Sequence, residues 1–389
     1  MHTIQSRVIY LDNASTTPLD PRVREAMLPY LTERYGNPSS IHKVGREARE
    51  AVEDARRKVA DTIGASPEEI YFTGSGSEGN NLAIKGIAWA NRSRGKHIIT
   101  TKIEHKCVLN TCHYLEKHGF DITYLDVDEY GVVDLEQLKS SLRDDTILVS
   151  VMYANNEVGT LQPIKEISQI LKKRDIYLHT DAVQVLGKLP LDVEKLGVDV
   201  LTLSAHKIYG PKGVGAVYVR KGTRMDPLIH GGGQERGLRS GTENVPGIVG
   251  FGTAAELAKN LLLEDKAKFE RFSEKLINEI PERIENVKFN GHPKKRVPNI
   301  VNFSFPRVEG ESIVMYLDLE GIAASTGSAC TSKSLEPSHV LTAMGISPEV
   351  AHGSLRISFG RFNDEYDVDK LLEVLPGIIE KLRKMSPLG

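Results

Sequence analysis

Between residues 69 and 219 the chain alternates short apolar runs with helical stretches, and this alternation constrains the fold most strongly. The apolar runs are expected strands, at 69–73, 97–101, 122–126, 146–152, 176–180, 198–203 and 214–219. The stretches between them are expected helices, at 78–92, 106–118, 135–142, 163–173 and 182–187. Strands that alternate with helices form a mostly parallel sheet covered on both faces. The sequence therefore predicts an α/β fold, with a ligand site beyond the carboxyl ends of the strands.

The segment before this alternation predicts a short strand and two helices. Val8–Leu11 is an expected strand. A helix should begin at Asp20-Pro21, because aspartate caps a helix and proline suits its first position. Apolar residues at a helical spacing predict a one-faced helix over 46–63, which Gly64 should close.

The segment after the alternation predicts a second, smaller domain. One long helix is expected from about residue 246 to residue 280, and a last helix should start at Asp364 and break at Pro376. Short apolar runs between these helices indicate an α+β arrangement. We therefore expect a large domain at 15–255 and a small domain built from 1–14 and 256–389.

Composition excludes several classes of protein. The 389-residue chain carries a formal net charge of −2, which argues against nucleic acid or an anionic membrane as a partner. It has no apolar run as long as a membrane span and no basic-then-apolar start typical of a secretory signal. Its three cysteines suit a reducing compartment better than a disulfide framework. These features predict a cytoplasmic protein.

Lys207 follows the apolar run 198–203 and lies in a loop rich in glycine and proline, SAHKIYGPKGVG. A lysine at the end of a buried strand is poorly solvated, which favours its neutral amine, a nucleophile toward carbonyls. Taken alone, such a lysine is more often a surface residue of a turn. Lys207 is distinguished by the polar residues that follow four other predicted strands.

Those polar residues fit one cofactor as a set. The stretch YFTGSGSE (71–78) joins a strand, a glycine/serine turn and a helix start, a combination that binds anions. Asp181 is suited to pair with a protonated ring nitrogen, His105 to stack on an aromatic ring, and 155–156 (Asn-Asn) to contact a hydroxyl. Each has an ordinary interpretation as a turn, a helix cap or a helix-start histidine. With Lys207, however, they form the set that pyridoxal phosphate requires: an amine, a carboxylate and phosphate donors.

A family resemblance rests on motifs that run in order over nearly the whole chain. They are YLDNASTTP, GNPSSIH, FTGSGSEGNNLAIKG, EHKCVL, NNEVGTLQP, HTDAVQ, SAHKIYGPKGVG, HGGGQERGLRSGT, STGSACTS and HGSLRISFGR. On these stretches the sequence resembles the cysteine desulfurases of the NifS/IscS family. The resemblance implies pyridoxal 5'-phosphate as cofactor and fold type I of the enzymes that use it, with a seven-stranded, mostly parallel sheet.

The resemblance also implies roles for individual residues. Lys207 is the implied Schiff-base lysine and takes the Cα proton of the substrate, and His105 stacks on the ring and helps to deprotonate incoming groups. The implied cofactor-binding residues are Gly76, Ser77, Asn156, Asp181, Gln184, Ser204, His206, Lys207 and Thr242. Asp181 would pair with the ring nitrogen and Gln184 with the ring hydroxyl. Asn156 and Arg356 would bind the substrate carboxylate, which arginine holds through two parallel bonds. Thr242 would reach the phosphate of a neighbouring subunit, so a homodimer is expected.

Cys330 lies in STGSACTS, whose small residues predict a mobile, exposed loop. The resemblance implies that its thiolate takes the sulfur of L-cysteine, leaving L-alanine and a persulfide. The persulfide would pass to an iron–sulfur scaffold protein of the IscU type and to other acceptors. No resident metal is expected, with Cys330 only a candidate cluster ligand during transfer. Cys107 and Cys112 fall on a predicted helix and are interpreted as core or surface filler, too few for a tetrahedral site.

The sequence departs from the family pattern at two places. Residues 76–77 are Gly-Ser where the family commonly has alanine and threonine, and the serine hydroxyl is expected to preserve phosphate binding. The chain ends at Gly389 and resembles members without the C-terminal tail that helps to dock the scaffold.

Two other classes of function compete with the desulfurase. One is an aminotransferase or a selenocysteine lyase that uses the same cofactor. The other is a non-catalytic protein that lends Cys330 as a cluster ligand or a sulfur relay. An aminotransferase needs no thiol in a loop, and a relay needs no Schiff-base lysine such as Lys207. These two residues therefore favour the desulfurase.

Overall fold

The structure is a computed structural model that describes residues 7–327 and 337–386. The strands are β1 (Ile9–Tyr10), β2 (Ile70–Thr73), β3 (His97–Thr101), β4 (Asp121–Leu125), β5 (Thr146–Ser150), β6 (Tyr177–Asp181), β7 (Val200–Ser204), β8 (Gly215–Val219), β9 (Lys288–Asn290), β10 (Ile300–Ser304), β11 (Ile322–Ala323) and β12 (Ser354–Ser358). The α-helices are α1 (Pro21–Thr32), α2 (Lys43–Ile63), α3 (Gly76–Asn91), α4 (Lys106–Glu116), α5 (Leu135–Ser141), α6 (Ile164–Leu171), α7 (Val193–Leu196), α8 (Val245–Asn260), α9 (Leu262–Arg283), α10 (Gly310–Leu319), α11 (His339–Ala343), α12 (Pro348–His352) and α13 (Glu365–Met385).

A seven-stranded sheet in the order β2-β8-β7-β6-β5-β3-β4 forms the centre of the molecule. Only β8 runs antiparallel to its neighbours β2 and β7, and the other pairs are parallel. Strands β3, β5, β7 and β8 are buried along their whole length, because helices cover both faces of the sheet. The predicted α/β class and all seven predicted strands are confirmed.

The first two helices form where local capping directs them. Asp20 caps α1, its carboxylate accepting from the backbone N–H of Arg22, and Pro21 opens the helix. Helix α2 starts earlier than predicted, at Lys43, because the His42 side chain caps it. Gly64 closes α2 in the left-handed region (φ 68°), as expected.

Two helix predictions are wrong in this part of the chain. Residues 182–187 form successive turns, in which the N–H groups of Val185 and Leu186 both bond to the Ala182 carbonyl. Gly187 (φ 71°) then turns the chain away before a helix can continue. The long helix expected over 246–280 is two helices, α8 and α9, which meet at Leu261 (φ −100°, ψ 4°).

A smaller α+β unit packs beside the sheet, as predicted. Strands β12, β10 and β9 form an antiparallel sheet, and β1 pairs in parallel with β11. Its hydrophobic core joins β1 and β10–β12 to helices α9, α10 and α13 and is separate from the core under the large sheet. The boundaries at 14/15 and 255/256 remain a prediction.

Pro376 does not break the last helix, contrary to prediction. Helix α13 runs unbroken from Glu365 to Met385 with Pro376 inside it. A proline cannot bond to the carbonyl four residues earlier, here that of Leu372. The Arg283 guanidinium donates to that carbonyl instead (3.4 Å), and buried leucines and isoleucines hold both halves of the helix in the core.

Within the described ranges, no helix combines the length and the apolar character that crossing a membrane requires.

Candidate active site

A cavity of about 400 Å³ opens at the carboxyl ends of β2, β3, β5, β6 and β7. It lies where the topology of a parallel sheet places ligands. The structure brings ten of the residues predicted for the site into its lining: Gly76, Ser77, His105, Asn156, Asp181, Gln184, Ser204, His206, Lys207 and Arg356. Most come from the loops after strands, and Arg356 comes from β12 of the smaller unit.

Lys207 is carried into the cavity by a short turn directly after β7. Residues Ala205–Lys207 form one turn of 3₁₀-helix, and the side chain of Lys207 is half-buried. Its Nζ donates to the carbonyls of Ala14 and Ser15, each at 2.6 Å. Behind it, Nζ of the buried Lys188 donates to the backbone carbonyl of Lys207. Lys207 is therefore held both at its side-chain amine and at its backbone carbonyl.

Asp181 ends β6 and is oriented by two donors. The backbone N–H of Val183 donates to Oδ1 (2.9 Å), and Asn80 Nδ2 donates to Oδ2 (2.6 Å). Gln184 lies beside it and donates to the Ala14 carbonyl (3.0 Å). A carboxylate held in a fixed orientation in this way suits a partner for a protonated nitrogen.

The start of α3 forms an anion cradle. Ser75 caps the helix, its hydroxyl accepting from the N–H of Glu78 (3.0 Å), so the N–H groups of Gly76 and Ser77 have no acceptor within the helix. The Ser204 hydroxyl, which also lines the cavity, is buried without a partner among the described residues. These donors fit a phosphate group, which would satisfy both the helix end and the orphaned hydroxyl.

The two histidines of the cavity are shielded from water. Burial lowers the pKa of His206 to about 4, and its Nδ1 lies 3.1 Å from the hydroxyl of Thr16. Burial also lowers the pKa of His105, which caps α4 through a bond from the N–H of Cys107 to Nδ1 (3.2 Å). Both rings are therefore neutral at physiological pH.

Arg356 crosses from the smaller unit to the cavity wall. Its guanidinium donates to the Asn156 carbonyl (2.9 Å), to Asp12 Oδ1 and to Ser15 Oγ (both 2.7 Å). The side chain is buried, and its Nε has no partner among the described residues. The two residues predicted to bind the substrate carboxylate thus touch each other in the wall.

One predicted residue, Thr242, does not line the cavity of the single chain. Thr242 is exposed and borders a separate cleft of about 130 Å³ with Arg239 and Glu243. Cys330 lies outside the described residues.

Sequence reasoning missed two lining residues. Cys107 was expected to be filler, but its side chain lines the cavity, whereas Cys112 is buried in the apolar core as expected. Asn80 contacts Asp181 directly and had no predicted role. Their positions carried a weak signal, since Asn80 lies one turn into the cradle helix and Cys107 two residues after His105.

Comparison with known proteins agrees with this geometry. Residues 9–371 match the family described as Aminotransferase class-V. A cysteine desulfurase IscS of Methanosarcina thermophila is 56% identical over 384 residues, covering 99% of this chain and 95% of that protein. Another, of Dictyoglomus turgidum, is 57% identical and covers 98% and 97%. A solved structure titled NIFS-LIKE PROTEIN superposes with a TM-score of 0.91 at 44% identity, covering 97% of this chain and 100% of its own.

The chain belongs to the aminotransferase class-V family, and its predicted fold type I is confirmed. Within that family it belongs to the cysteine desulfurases, as its full-length relatives indicate.

Proposed function

We propose that this protein is a cysteine desulfurase that holds pyridoxal 5'-phosphate in the cavity and moves the sulfur of L-cysteine to Cys330. One observation carries the proposal: an amine (Lys207), an oriented carboxylate (Asp181) and a phosphate cradle meet in a single cavity. The name cysteine desulfurase, shared by relatives over nearly the whole chain, supports the same activity.

The residues of the cavity fit this cofactor as a set. Gly76, Ser77, Ser204 and His206 would hold its phosphate, Asp181 its ring nitrogen and Gln184 its ring hydroxyl, and the His105 ring would stack against it. Bound there, pyridoxal phosphate supplies an aldehyde for Lys207 and an electron sink for the substrate.

The other groups handle the amino acid. Asn156 and Arg356 orient the carboxylate of L-cysteine, and the bond from the Arg356 guanidinium to the Asn156 backbone carbonyl supports this by placing both residues at one wall of the cavity. The Lys207 amine takes the proton from Cα, for which its anchorage on the Ala14 and Ser15 carbonyls positions it. The carbon–sulfur bond of the substrate breaks as a sulfur–sulfur bond to Cys330 forms, so L-cysteine and a protein thiol become L-alanine and a persulfide.

The remaining parts of the proposal concern assembly. The protein acts in the cytoplasm as a homodimer in which Thr242, exposed in the single chain, reaches the phosphate bound by the neighbouring subunit. The persulfide passes to an iron–sulfur scaffold protein of the IscU type. The large domain at 15–255 and the small domain at 1–14 and 256–389 carry the two sides of the site.

The activity is tested with purified protein, cysteine and a reductant. We expect a yellow protein that releases sulfide and alanine in equal amounts. When cysteine is added without the reductant, mass spectrometry should find one added sulfur on the Cys330 peptide. Lys207→Ala should lose turnover by at least about a hundredfold, because it removes both the covalent attachment and the base. Lys212→Ala, an exposed lysine of the same loop, is the matched control and should keep full activity.

Three outcomes would contradict the proposal. A Lys207→Ala variant that stayed yellow with unaltered turnover would remove every role proposed for this amine. Cys330→Ala with full sulfide release would refute the persulfide step. Transfer of the amino group to a keto acid, without sulfide, would establish an aminotransferase instead.

A further inference from the structure

Two side chains lie between Asp181 and His105 in the wall of the cavity. Asn80, on the second turn of α3, is buried, and Cys107, the second residue of α4, is partly buried. We propose that Asn80 and Cys107 are positioning residues that tie the Asp181 carboxylate to the His105 ring and keep that ring protonated on Nε2. The inference rests on the proposed function, which assigns Asp181 and His105 to the cofactor.

The orientation of the Asn80 amide follows from its neighbours. Its terminal atom lies 2.6 Å from Asp181 Oδ2, a distance at which an amide oxygen would repel the carboxylate. The nitrogen therefore faces Asp181, and its second hydrogen is directed at Cys107 Sγ, 3.2 Å away. Asn80 Oδ1 has no partner among the described residues, so both contacts of the amide are made by the NH₂ group.

Cys107 continues this chain to His105. Its Sγ lies 2.9 Å from His105 Nδ1, and its backbone N–H donates to the same nitrogen at 3.2 Å. A backbone N–H is always a donor, so Nδ1 must be an acceptor and the hydrogen of the neutral ring must be on Nε2. Because Sγ accepts from Asn80, the thiol hydrogen is the one directed at Nδ1.

The protonation states required by this chain agree with the surroundings. Burial raises the pKa of the Cys107 thiol to about 12, so the thiol keeps its hydrogen. Burial lowers the pKa of His105, so the ring is neutral.

The consequence concerns what His105 offers to a bound molecule. With Nδ1 occupied by two donors, the resting ring presents an N–H at Nε2 and no free lone pair. His105 therefore begins the reaction as a hydrogen-bond donor, and Asn80 orients the carboxylate from the opposite end of the same chain.

The tautomer is measured first on full-length wild-type protein labelled with ¹⁵N-histidine and free of added cofactor. The side-chain ¹⁵N shifts of His105, assigned by their absence in His105→Gln, should show a bare Nδ1 and a protonated Nε2. A protonated Nδ1 would overturn the proposal. Because this measurement needs no cofactor, it decides the inference even if the wild type fails to bind pyridoxal phosphate, a result that would refute the proposed function alone.

Variants test the two positioning roles. Asn80→Ala should weaken binding of pyridoxal phosphate about ten- to a hundredfold, the range for losing a bond to a charged group, whereas Asn81→Ala should match wild type. Cys107→Ala removes the thiol donor to Nδ1 and leaves the backbone N–H, so it should raise the fraction of the Nδ1–H tautomer above the wild-type value without inverting the preference for Nε2–H. Cys107→Ser should restore the wild-type tautomer because a hydroxyl still donates, and Cys112→Ala is the control for a buried thiol on the same helix.

Equal cofactor affinity of the Asn80 and Asn81 variants would overturn the role of Asn80. An unchanged tautomer in Cys107→Ala would overturn that of Cys107. Thermal unfolding of each variant separates these effects from loss of folding, and Asn80→Ser replaces Asn80→Ala if the alanine variant unfolds.

Discussion

The Glu104 carboxyl group, next to His105 in the chain, is fully buried. Its Oε1 accepts from the Thr101 hydroxyl (2.9 Å) and from the N–H of Met152 (2.8 Å), while Oε2 has no partner among the described residues. Burial raises the pKa of Glu104 to about 8. The folded protein therefore carries a neutral acid at this position at neutral pH, where the unfolded chain carries a charged one.

This difference makes stability depend on pH in a known direction. Between about pH 5 and pH 8 the folded state binds a proton that the unfolded state has lost, so the free energy of unfolding falls as pH rises, by up to about 1.4 kcal/mol per pH unit. Glu104→Gln does not titrate, so its stability relative to wild type should increase across this range. Urea unfolding at several pH values, followed by the fluorescence of Trp89, the single tryptophan, measures the free energy of unfolding of both proteins. Parallel pH profiles of the two proteins would contradict the assignment.

At the scale of elements, Pro376 shows that a helix tolerates a proline when other groups replace what the proline removes. In α13 the Leu372 carbonyl accepts from Arg283, and the apolar face of the helix stays in the core. The local sequence around Pro376 shows the proline that should break the helix. It does not show Arg283, which compensates for that proline from 89 residues away from Leu372 along the chain.

We expect Pro376→Ala to stabilise the protein by about 1–2 kcal/mol. The new N–H bonds to Leu372, and this gain exceeds the added entropy of the unfolded chain. Arg283→Ala should then cost less in the Pro376→Ala background than in wild type, which a double-mutant cycle of unfolding free energies measures. Additive effects would show that Arg283 does not substitute for the missing N–H.

The sequence predicted the strands and the site better than it predicted some helices, for physical reasons. Buried parallel strands have a local signature, and Lys207, Asp181 and His105 could be placed because each follows one. The failed helix at 182–187 and the division at Leu261 depend on backbone conformation that apolar spacing does not report. Asn80 and Cys107 were missed because their contacts join residues 101 and 27 positions apart.

At the scale of the whole molecule, buried ion pairs hold the smaller unit against the large one. Arg361, after β12, binds Asp20 at the start of α1 (3.1 Å) and Asp265 on α9 (3.0 Å). Only 9% of its side chain is exposed, and both carboxylates are buried. Arg22 binds the same Asp20 from the surface, with 54% of its side chain exposed.

Arg361 and Arg22 can be compared directly, because both bind Asp20 and only Arg361 does so in the interior. Arg361→Met should destabilise the protein by about 3–5 kcal/mol, because it strands buried carboxylates. Arg22→Met should cost at most about 1 kcal/mol, because its pair with Asp20 is largely solvated. Denaturant unfolding of the two variants measures the difference, and equal losses would show that the inner pair does not hold the units together.

Residues near the start of the described chain are held in place by hydrogen bonds to residues that are synthesised more than 300 positions later. Leu11 bonds to Ala323 and Ser358, and the N–H of Ala14 bonds to the Ser358 hydroxyl, which sets the carbonyls that anchor Lys207. During translation the early part of the chain can fold first, but this corner of the cavity stays open until Ser358 has left the exit tunnel. Under the proposed function, pyridoxal phosphate is then captured only after Ser358 has emerged, and not by a shorter nascent chain.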